Sequence, residues 1–240
     1  MLAPNPIQTA LVRPAPPATP WHWSQAWLDL LFAHWKTPAE ALRPLVPPAL
    51  EVDTRGGAAW VSVVAFRLAQ VRPRWLPAVG PLSHFVELNL RTYVRYQGEP
   101  AIYFLNIQAA SRLVVQAARW LTPLPYTFAT MTYNWRGAPA IFAGGGCRAE
   151  FTAAGPQSLA ASGTDDEWLL ERYALYVAGA RGRLFRTVVV HPCWPVQSVT
   201  ATINATALGE ASELDLRRLP DRMHFSAGVQ AQVWPFVAIQ

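Results

Sequence analysis

Hydrophobic and polar side chains alternate most clearly between residues 84 and 96. One set of alternate positions holds Phe85, Glu87, Asn89, Arg91 and Tyr93, and the other holds Val86, Leu88, Leu90, Thr92 and Val94. A period of two predicts a β-strand, because successive side chains of a strand point to opposite faces. The turn at 97–100 then predicts a hairpin with a second strand over residues 101–108.

Several further segments have the composition of strands. Apolar, β-branched and aromatic residues are concentrated in residues 58–71, 184–191, 196–205 and 224–233. A second hairpin is predicted from residues 126–135 and 140–152 around Arg136-Gly137. The short apolar run 27–35 fits either a strand or a helix, since its pattern does not separate the two.

Three short helices are predicted from capping signals. Thr37 and Glu40 form a capping-box pattern for a helix that must end by residues 44–47, where prolines begin. Ser111 caps a helix over 111–121, and Thr164 with Glu167 opens one that extends to about residue 176. The total predicts an α+β fold with a curved antiparallel or mixed sheet closing into a barrel.

Composition indicates a well-packed globular protein. Hydrophobic residues make up 52% of the 240 residues and charged residues 15%, which favours a large core over disorder. We expect one domain over 21–240, preceded by a proline-rich arm or leader over 1–20. No uninterrupted apolar segment of membrane-spanning length and no signal-peptide pattern occurs, so the expected location is cytoplasmic and no membrane partner is expected.

The basic charge does not by itself indicate a nucleic-acid partner. The net charge is +5, but the basic residues are scattered and form no block or known binding motif, so none is expected. Of the 20 basic residues, only Lys36 is a lysine. The five histidines and two cysteines show no metal-ligand spacing, and we expect neither a metal nor another cofactor.

The row Glu87, Asn89 and Arg91 is the best candidate site. Three polar side chains on one strand face need a polar environment, which is either solvent or a wet cavity. In a cavity, Arg91 could bind a carboxylate through two parallel hydrogen bonds, and Asn89 could join it in ligand binding.

Other candidates lie on different segments. Arg112, Gln116 and Arg119 form a polar helix stripe, which is typical of a solvated face, although Arg119 is a second anion-binding candidate. The Tyr126 phenol could donate to a ligand carbonyl, or belong to the core. His191, a further ligand-binding candidate, alternates with Cys193, but flanking prolines favour a rigid turn over a catalytic Cys–His pair.

Six ordered blocks carry a family resemblance. They are LLFAHW (30–35), LRPLVPPALEVDTRGGAAWVSVVAF (42–66), FVELNLRTYV (85–94), AARWLTPLPY (117–126), LLERYALY (169–176) and HPCWPV (191–196). Together they resemble the YqjF-like (DUF2071) family, a bacterial family of unknown function, over roughly residues 21–200. Ordered blocks are more specific than any single motif.

The resemblance implies a fold similar to that of acetoacetate decarboxylase: a closed, cone-like β-barrel with outer helices and a central cavity. That enzyme uses a Schiff-base lysine with a second lysine beside it, after a proline, and a glutamate on a strand. Glu87 and Pro125 match the glutamate and the proline, but Tyr126 and Thr127 follow in place of the lysines. Lys36 lies in a different segment, where an exposed side chain is expected. Without an amine, decarboxylation through an iminium ion is disfavoured.

Three functions follow as hypotheses. The first is binding of a small carbonyl- or carboxylate-bearing molecule in the barrel cavity. The second is non-covalent lyase or isomerase chemistry on an oxo acid, with Glu87 as acid or base and Tyr126, Arg91 or Arg119 polarising a carbonyl. The third is a structural or partner-binding role, including a homo-oligomer, in which the many aromatic residues and the N-terminal arm would serve an interface.

Overall fold

The computed structural model of the chain describes residues 14–179 and 182–239, in which fourteen strands occur. In chain order they are β1 (Trp23–Thr37), β2 (Glu51–Val52), β3 (Ala59–Pro73), β4 (Phe85–Tyr96), β5 (Glu99–Ala109), β6 (Tyr126–Phe128), β7 (Met131–Asn134), β8 (Ala140–Gly144), β9 (Cys147–Ser158), β10 (Ala174–Ala178), β11 (Leu184–Val190), β12 (Val196–Asn204), β13 (Arg222–Val233) and β14 (Val237–Ala238). The strand predictions over 58–71, 84–96, 184–191, 196–205 and 224–233 are confirmed.

The helices of the described residues are short. They are α1 (Ala39–Leu42), continued by a 3-10 turn at Arg43–Leu45, α2 (Gly80–Ser83), α3 (Arg112–Leu121), α4 (Asp165–Leu170) and α5 (Thr206–Glu210). The Ser111 cap is confirmed, since its side chain accepts a hydrogen bond from the Val114 amide. The Thr37 cap is wrong: Pro38 occupies that position and no side chain caps the helix.

All fourteen strands of the described residues join one large, mainly antiparallel sheet. The hydrogen-bonded order is β14-β11-β10-β5-β4-β3-β1-β13-β12-β9-β8-β7, with β2 on β4 and β6 on β5. The β5–β10 and β5–β6 pairs are parallel, and β13 also pairs with β11. The strands do not stand evenly around one axis. The architecture is therefore a sheet-dominated α+β fold with a few short helices.

The sheet packs around the long strands β1, β3 and β4. The ambiguous run 27–35 lies within β1, and the side chains of Phe32 and Trp35 are almost fully buried there. The register of β1 against β3 shifts between Leu28 and Leu31, and Asp29 at the shift has a φ of 53°. This β-bulge bends the strand, as an extra residue in a ladder generally does.

The helix predicted from Thr164 to about residue 176 is too long. Thr164 accepts the Glu167 amide as expected, but α4 ends at Leu170. Residues 174–178 pair instead with β11 and β5 as strand β10. Tertiary pairing of an apolar, aromatic segment outweighs the local helix signal.

The predicted second hairpin is also divided more finely. Its first strand splits into β6 and β7, which pair with different neighbours. Its second strand splits at Gly144-Gly145-Gly146, which turns the chain from β8 into β9. All three glycines have positive φ, where other residues are strained.

The proline-rich arm falls largely outside the described residues, since residues 1–13 are not among them. Residues 14–20 form no helix or strand, and the Thr19 carbonyl accepts a hydrogen bond from the Trp234 indole. Among the described residues, no helix has the length and apolar character needed to cross a membrane.

Candidate functional site

A largely apolar cavity of about 360 Å³ lies beneath α2 and α3. Strands β1, β4, β5, β10, β11 and β13 contribute to its wall. Four of its polar side chains carry chemistry relevant to binding: Arg91, Tyr126, Arg172 and His191. Cavities of roughly 300–1,000 Å³ with few polar groups are typical of small-molecule sites.

Tyr126 connects the cavity to a buried carboxylate. Its hydroxyl donates to Oε2 of Glu87 at 2.7 Å, and Nδ2 of Asn89 donates to Oε1 at 3.2 Å. Glu87 and Asn89 are each 3% exposed. Neither lines the cavity, whereas Tyr126 does. Glu87 therefore lies one hydrogen bond away from the cavity, behind the phenol.

Three adjacent strands bring these groups together. Asn89 on β4 is paired with Ile107 on β5, which is paired with Tyr126 on β6. Glu87 lies two residues from Asn89 on the same face of β4, as the alternation predicts. Nε of Arg119 donates to the Tyr126 carbonyl at 2.8 Å and so positions its backbone.

Burial sets the protonation of this cluster. It raises the pKa of Glu87 to about 7, although the hydrogen bonds from Tyr126 and Asn89 partly oppose the rise. Burial and the neighbouring Glu87 carboxylate also raise the pKa of Tyr126 well above its usual range. Glu87 thus changes charge near neutral pH while the phenol keeps its proton.

Arg91 brings a second kind of chemistry to the cavity wall. Its Nε atom is buried and has no hydrogen-bond partner, and its guanidinium carbon lies 5.6 Å from the Phe32 ring centre. Burial lowers its pKa. Arg91 forms no salt bridge with a carboxylate of the described residues.

Arg172 is a second guanidinium in the wall, and its side chain is buried. Its Nη1 donates to Asp53 at 2.8 Å and its Nε to the Trp168 carbonyl at 2.9 Å, while Nη2 has no partner. The other oxygen of Asp53 accepts from Nε of Arg95 at 2.7 Å. One buried carboxylate therefore serves two arginines.

A buried polar network supports this wall. The Tyr93 hydroxyl lies 2.6 Å from Ser62 Oγ and donates to the Leu169 carbonyl at 3.0 Å. Ser62 Oγ is 2.5 Å from Nδ1 of His34, which is fully buried, as expected for a core histidine. The Arg172 guanidinium lies 5.1 Å from the Tyr93 ring centre. This network packs against the arginine side of the cavity.

The remaining candidates divide between cavity and surface. His191 is buried in the cavity wall, where its ring lies 4.9 Å from that of Trp194. Cys193 is exposed. Arg119 is exposed and does not line the cavity, and Thr127 is exposed too. Ligand contacts for Asn89 and Arg119 therefore stay predictions without support from the cavity lining.

Lys36, the only lysine in the sequence, lies outside the cavity lining. Lys36 is exposed, and its Nζ lies 5.4 Å from the Trp60 ring centre. Within the described residues, no group of histidine, cysteine, aspartate or glutamate side chains is arranged to hold a metal ion.

Sequence reasoning missed Arg172 and its partner Asp53. The available signal was the Glu171-Arg172 pair inside the apolar run LLERYALY, since charges in such a run must be paired or functional. The predicted helix that opens at Thr164 includes this segment, and that prediction gives these two charges no role. The separation of Asp53 from Arg172 along the chain gave no indication that they meet.

Solved structures share this fold. The enduracididine biosynthesis enzyme MppR complexed with pyruvate matches with a TM-score of 0.63 at 14% identity, covering 99% of this chain and 95% of that one. Acetoacetate decarboxylase from Legionella pneumophila matches with a TM-score of 0.64 at 14% identity, covering 100% and 98%. Identities this low establish the acetoacetate-decarboxylase-like fold alone.

Sequence comparison establishes the family. The uncharacterized protein YqjF of Bacillus subtilis is 35% identical over 222 residues, which are 90% of this chain and 91% of that protein. Residues 24–230 match the uncharacterized conserved protein family DUF2071. The chain belongs to the DUF2071 family, as its ordered sequence blocks indicated.

Proposed function

We propose that the protein binds a small, mostly apolar molecule bearing a carboxylate, with the carboxylate at Arg91 and Arg172. The observation that carries the proposal is the pair of guanidinium nitrogens without partners in the wall of an apolar cavity. The apolar part of the ligand would contact side chains such as Trp27, Phe104 and Leu124.

Charge balance supports an anionic ligand. Removing a guanidinium from water costs several kcal/mol unless hydrogen bonds and an opposite charge compensate. Asp53 compensates Arg172 and Arg95 together, and no carboxylate of the described residues pairs with Arg91. A bound carboxylate would supply the missing acceptor and the missing negative charge.

One structural neighbour favours an oxo acid as the ligand. The structural neighbour MppR was solved with pyruvate, which is a small oxo acid, and we carry this ligand class over as a proposal.

The β11–β13 pairing joins both ends of the strand path β11-β10-β5-β4-β3-β1-β13, which supports the closed, cone-like barrel expected for this fold.

The proposed binding does not involve a Schiff base. Tyr126 and Thr127 follow Pro125 where the related decarboxylase has lysines, and Lys36 is exposed outside the cavity lining. Without an amine at the carboxylate site there is no group to form an iminium ion with a bound ketone.

Binding can be tested with pyruvate, 2-oxooctanoate and octanoate by calorimetry. We expect octanoate or 2-oxooctanoate to bind, and the affinity to fall at least about tenfold in Arg91→Gln, since a charge-assisted hydrogen bond is worth about 1.5–3 kcal/mol. Arg136→Gln removes an exposed arginine outside the cavity lining and is the matched control. Equal affinity in both variants, or no binding of any acid, would contradict the proposal.

A second candidate function is proton transfer on a bound oxo acid, which the pKa of Glu87 near 7 favours. A proton leaving the carbon beside the ketone would pass to the Tyr126 hydroxyl as that hydroxyl gives its own proton to Glu87. The wild-type protein would then exchange deuterium into 2-oxooctanoate at C3. If Glu87→Gln exchanges at the wild-type rate while still binding the acid, Glu87 has no such role.

A further inference from the structure

Seven large apolar side chains are exposed around α2 and α3. The set, called the apolar rim below, comprises Trp75, Leu76, Val79, Leu82, Leu113, Trp120 and Leu121. Trp75 is 75% exposed and Trp120 is 82% exposed. Tryptophans this exposed are unusual on the surface of a water-soluble domain, and clusters of such residues mark interaction sites.

The apolar rim is continuous with the cavity. Leu76, Val79, Leu82 and Leu121 are exposed to solvent and also line the cavity. They lie on two facing segments, since α2 and α3 are in contact. The rim therefore borders the cavity with apolar side chains, which an apolar molecule on this surface would contact first.

Positive charge accompanies these apolar side chains. Arg72, Arg74, Arg112 and Arg119 lie on the same two segments, and Arg74 contacts the Trp75 ring with its guanidinium 4.9 Å from the ring centre. No aspartate or glutamate occurs in residues 54–86 or 100–149. The two segments that border the cavity thus carry exposed tryptophan and leucine together with arginine, and neither contributes a carboxylate.

We propose that the apolar rim docks on an anionic lipid bilayer, from which the cavity takes an acyl-chain carboxylic acid. The bilayer as the source of the ligand rests on the proposed function, whereas the docking rests on the rim alone. Tryptophan settles at the boundary of headgroups and acyl chains, and nearby arginines attract anionic headgroups. Surface docking of this kind needs no spanning segment.

Charge argues for the bilayer over a second copy of the chain. A two-fold contact would place the same patch on both subunits, so that arginines would face arginines with no carboxylate from these segments between them. An anionic bilayer offers the opposite charge over its whole surface. A bilayer that is negative outside and apolar within satisfies the apolar rim and the basic residues together.

Co-sedimentation of the full chain with vesicles tests the docking. We expect binding to phosphatidylcholine vesicles that contain phosphatidylglycerol, weak binding to phosphatidylcholine alone, and a loss of binding as salt rises. Trp75→Ala combined with Trp120→Ala should weaken binding by about tenfold or more, because both rings leave the interface. Leu219→Ala removes a 71% exposed apolar side chain elsewhere and should have no effect.

The outcomes separate docking from ligand binding. Vesicle binding that is absent, or unchanged in the double tryptophan variant, overturns the docking even if octanoate still binds through Arg91. A dimer seen by sedimentation and lost in the double variant assigns the rim to a second copy. Vesicle binding that appears only after residues 1–13 are removed assigns the apolar rim to residues 1–13 as its occupant. That outcome overturns docking by the full chain. If Arg91→Gln docks normally but takes no octanoate from loaded vesicles, both proposals stand.

Discussion

The Tyr126 hydroxyl donates a 2.7 Å hydrogen bond to the Glu87 carboxylate, and this contact separates a titrating group from the neighbouring cavity. The phenol faces the cavity, while the carboxylate lies behind it. A pKa of about 7 for Glu87 therefore affects both the stability of the fold and the polarity of the cavity wall.

Stability should fall as the pH rises through the range set by Glu87. The folded protein holds this proton up to a pKa of about 7, whereas the unfolded chain releases it near 4.5. Between these values the folded state binds more protons, so the free energy of unfolding decreases with pH and levels off above about 7, by about 3 kcal/mol in all. Urea unfolding of the wild type and Glu87→Gln at pH 5 and pH 8 measures it. The stability of Glu87→Gln relative to the wild type should be higher at pH 8 than at pH 5. A difference between the two proteins that does not change with pH would contradict the raised pKa of Glu87.

Asp53→Asn should destabilise the fold strongly. Its carboxylate binds both Arg172 and Arg95, and the substitution leaves a buried guanidinium without an opposite charge, at a cost of about 3–5 kcal/mol. Thermal or urea unfolding at pH 7 measures the loss. Asp215→Asn breaks an exposed pair with Arg217 and should leave the midpoint unchanged. Similar losses of stability in both variants would contradict the idea that the burial of the Asp53–Arg172 ion pair makes Asp53 important.

Tyr93→Phe should cost about 1–3 kcal/mol of stability, because Ser62 Oγ and the Leu169 carbonyl each lose a buried hydrogen-bond partner. The loss is measured by urea unfolding. Tyr96→Phe removes a hydroxyl from a half-buried residue at the end of the same strand, and serves as the control. We expect the second variant to unfold close to the wild type. If Tyr96→Phe lost more stability than Tyr93→Phe, the Tyr93 hydroxyl would not be the one that stabilises this part of the fold.

Gly228→Ala should be far more damaging than Gly98→Ala. A Cβ at Gly228 would lie 2.2 Å from the Trp27 carbonyl oxygen, whereas a Cβ at Gly98 has no neighbour within 4 Å. Both glycines have positive φ, so both variants carry backbone strain of about 1–2 kcal/mol. Only Gly228→Ala adds a clash between β13 and β1. Its unfolding midpoint should therefore be clearly the lower of the two.

Much of the fold could be predicted because its strands carry local signals. The alternation in β4 and the β-type runs of β3, β11, β12 and β13 gave these elements to within a few residues. The segment after α4 was mistaken for helix because its strand character depends on pairing with β5 and β11. Such long-range pairing leaves no local mark in the sequence.

The candidate site was predictable in part for the same reason. Glu87, Asn89 and Arg91 share a strand face, and the alternation alone puts them in one row. The placement of Glu87 and Asn89 behind Tyr126 depends on β6 joining β5, which the sequence did not predict. Arg172 was missed because its burial depends on Asp53, which is far away along the chain.

The position of β13 has a consequence for biosynthesis. This strand lies between β1 and β12, also pairs with β11, and brings Val233 opposite Trp23 at the cavity wall. A ribosome-bound chain that has not yet released residues 222–233 cannot complete that wall. The apolar rim and the buried arginines would meanwhile have no finished cavity between them. The proposed ligand binding should therefore be acquired in one late step, and an acid bound as proposed should slow unfolding more than it speeds folding.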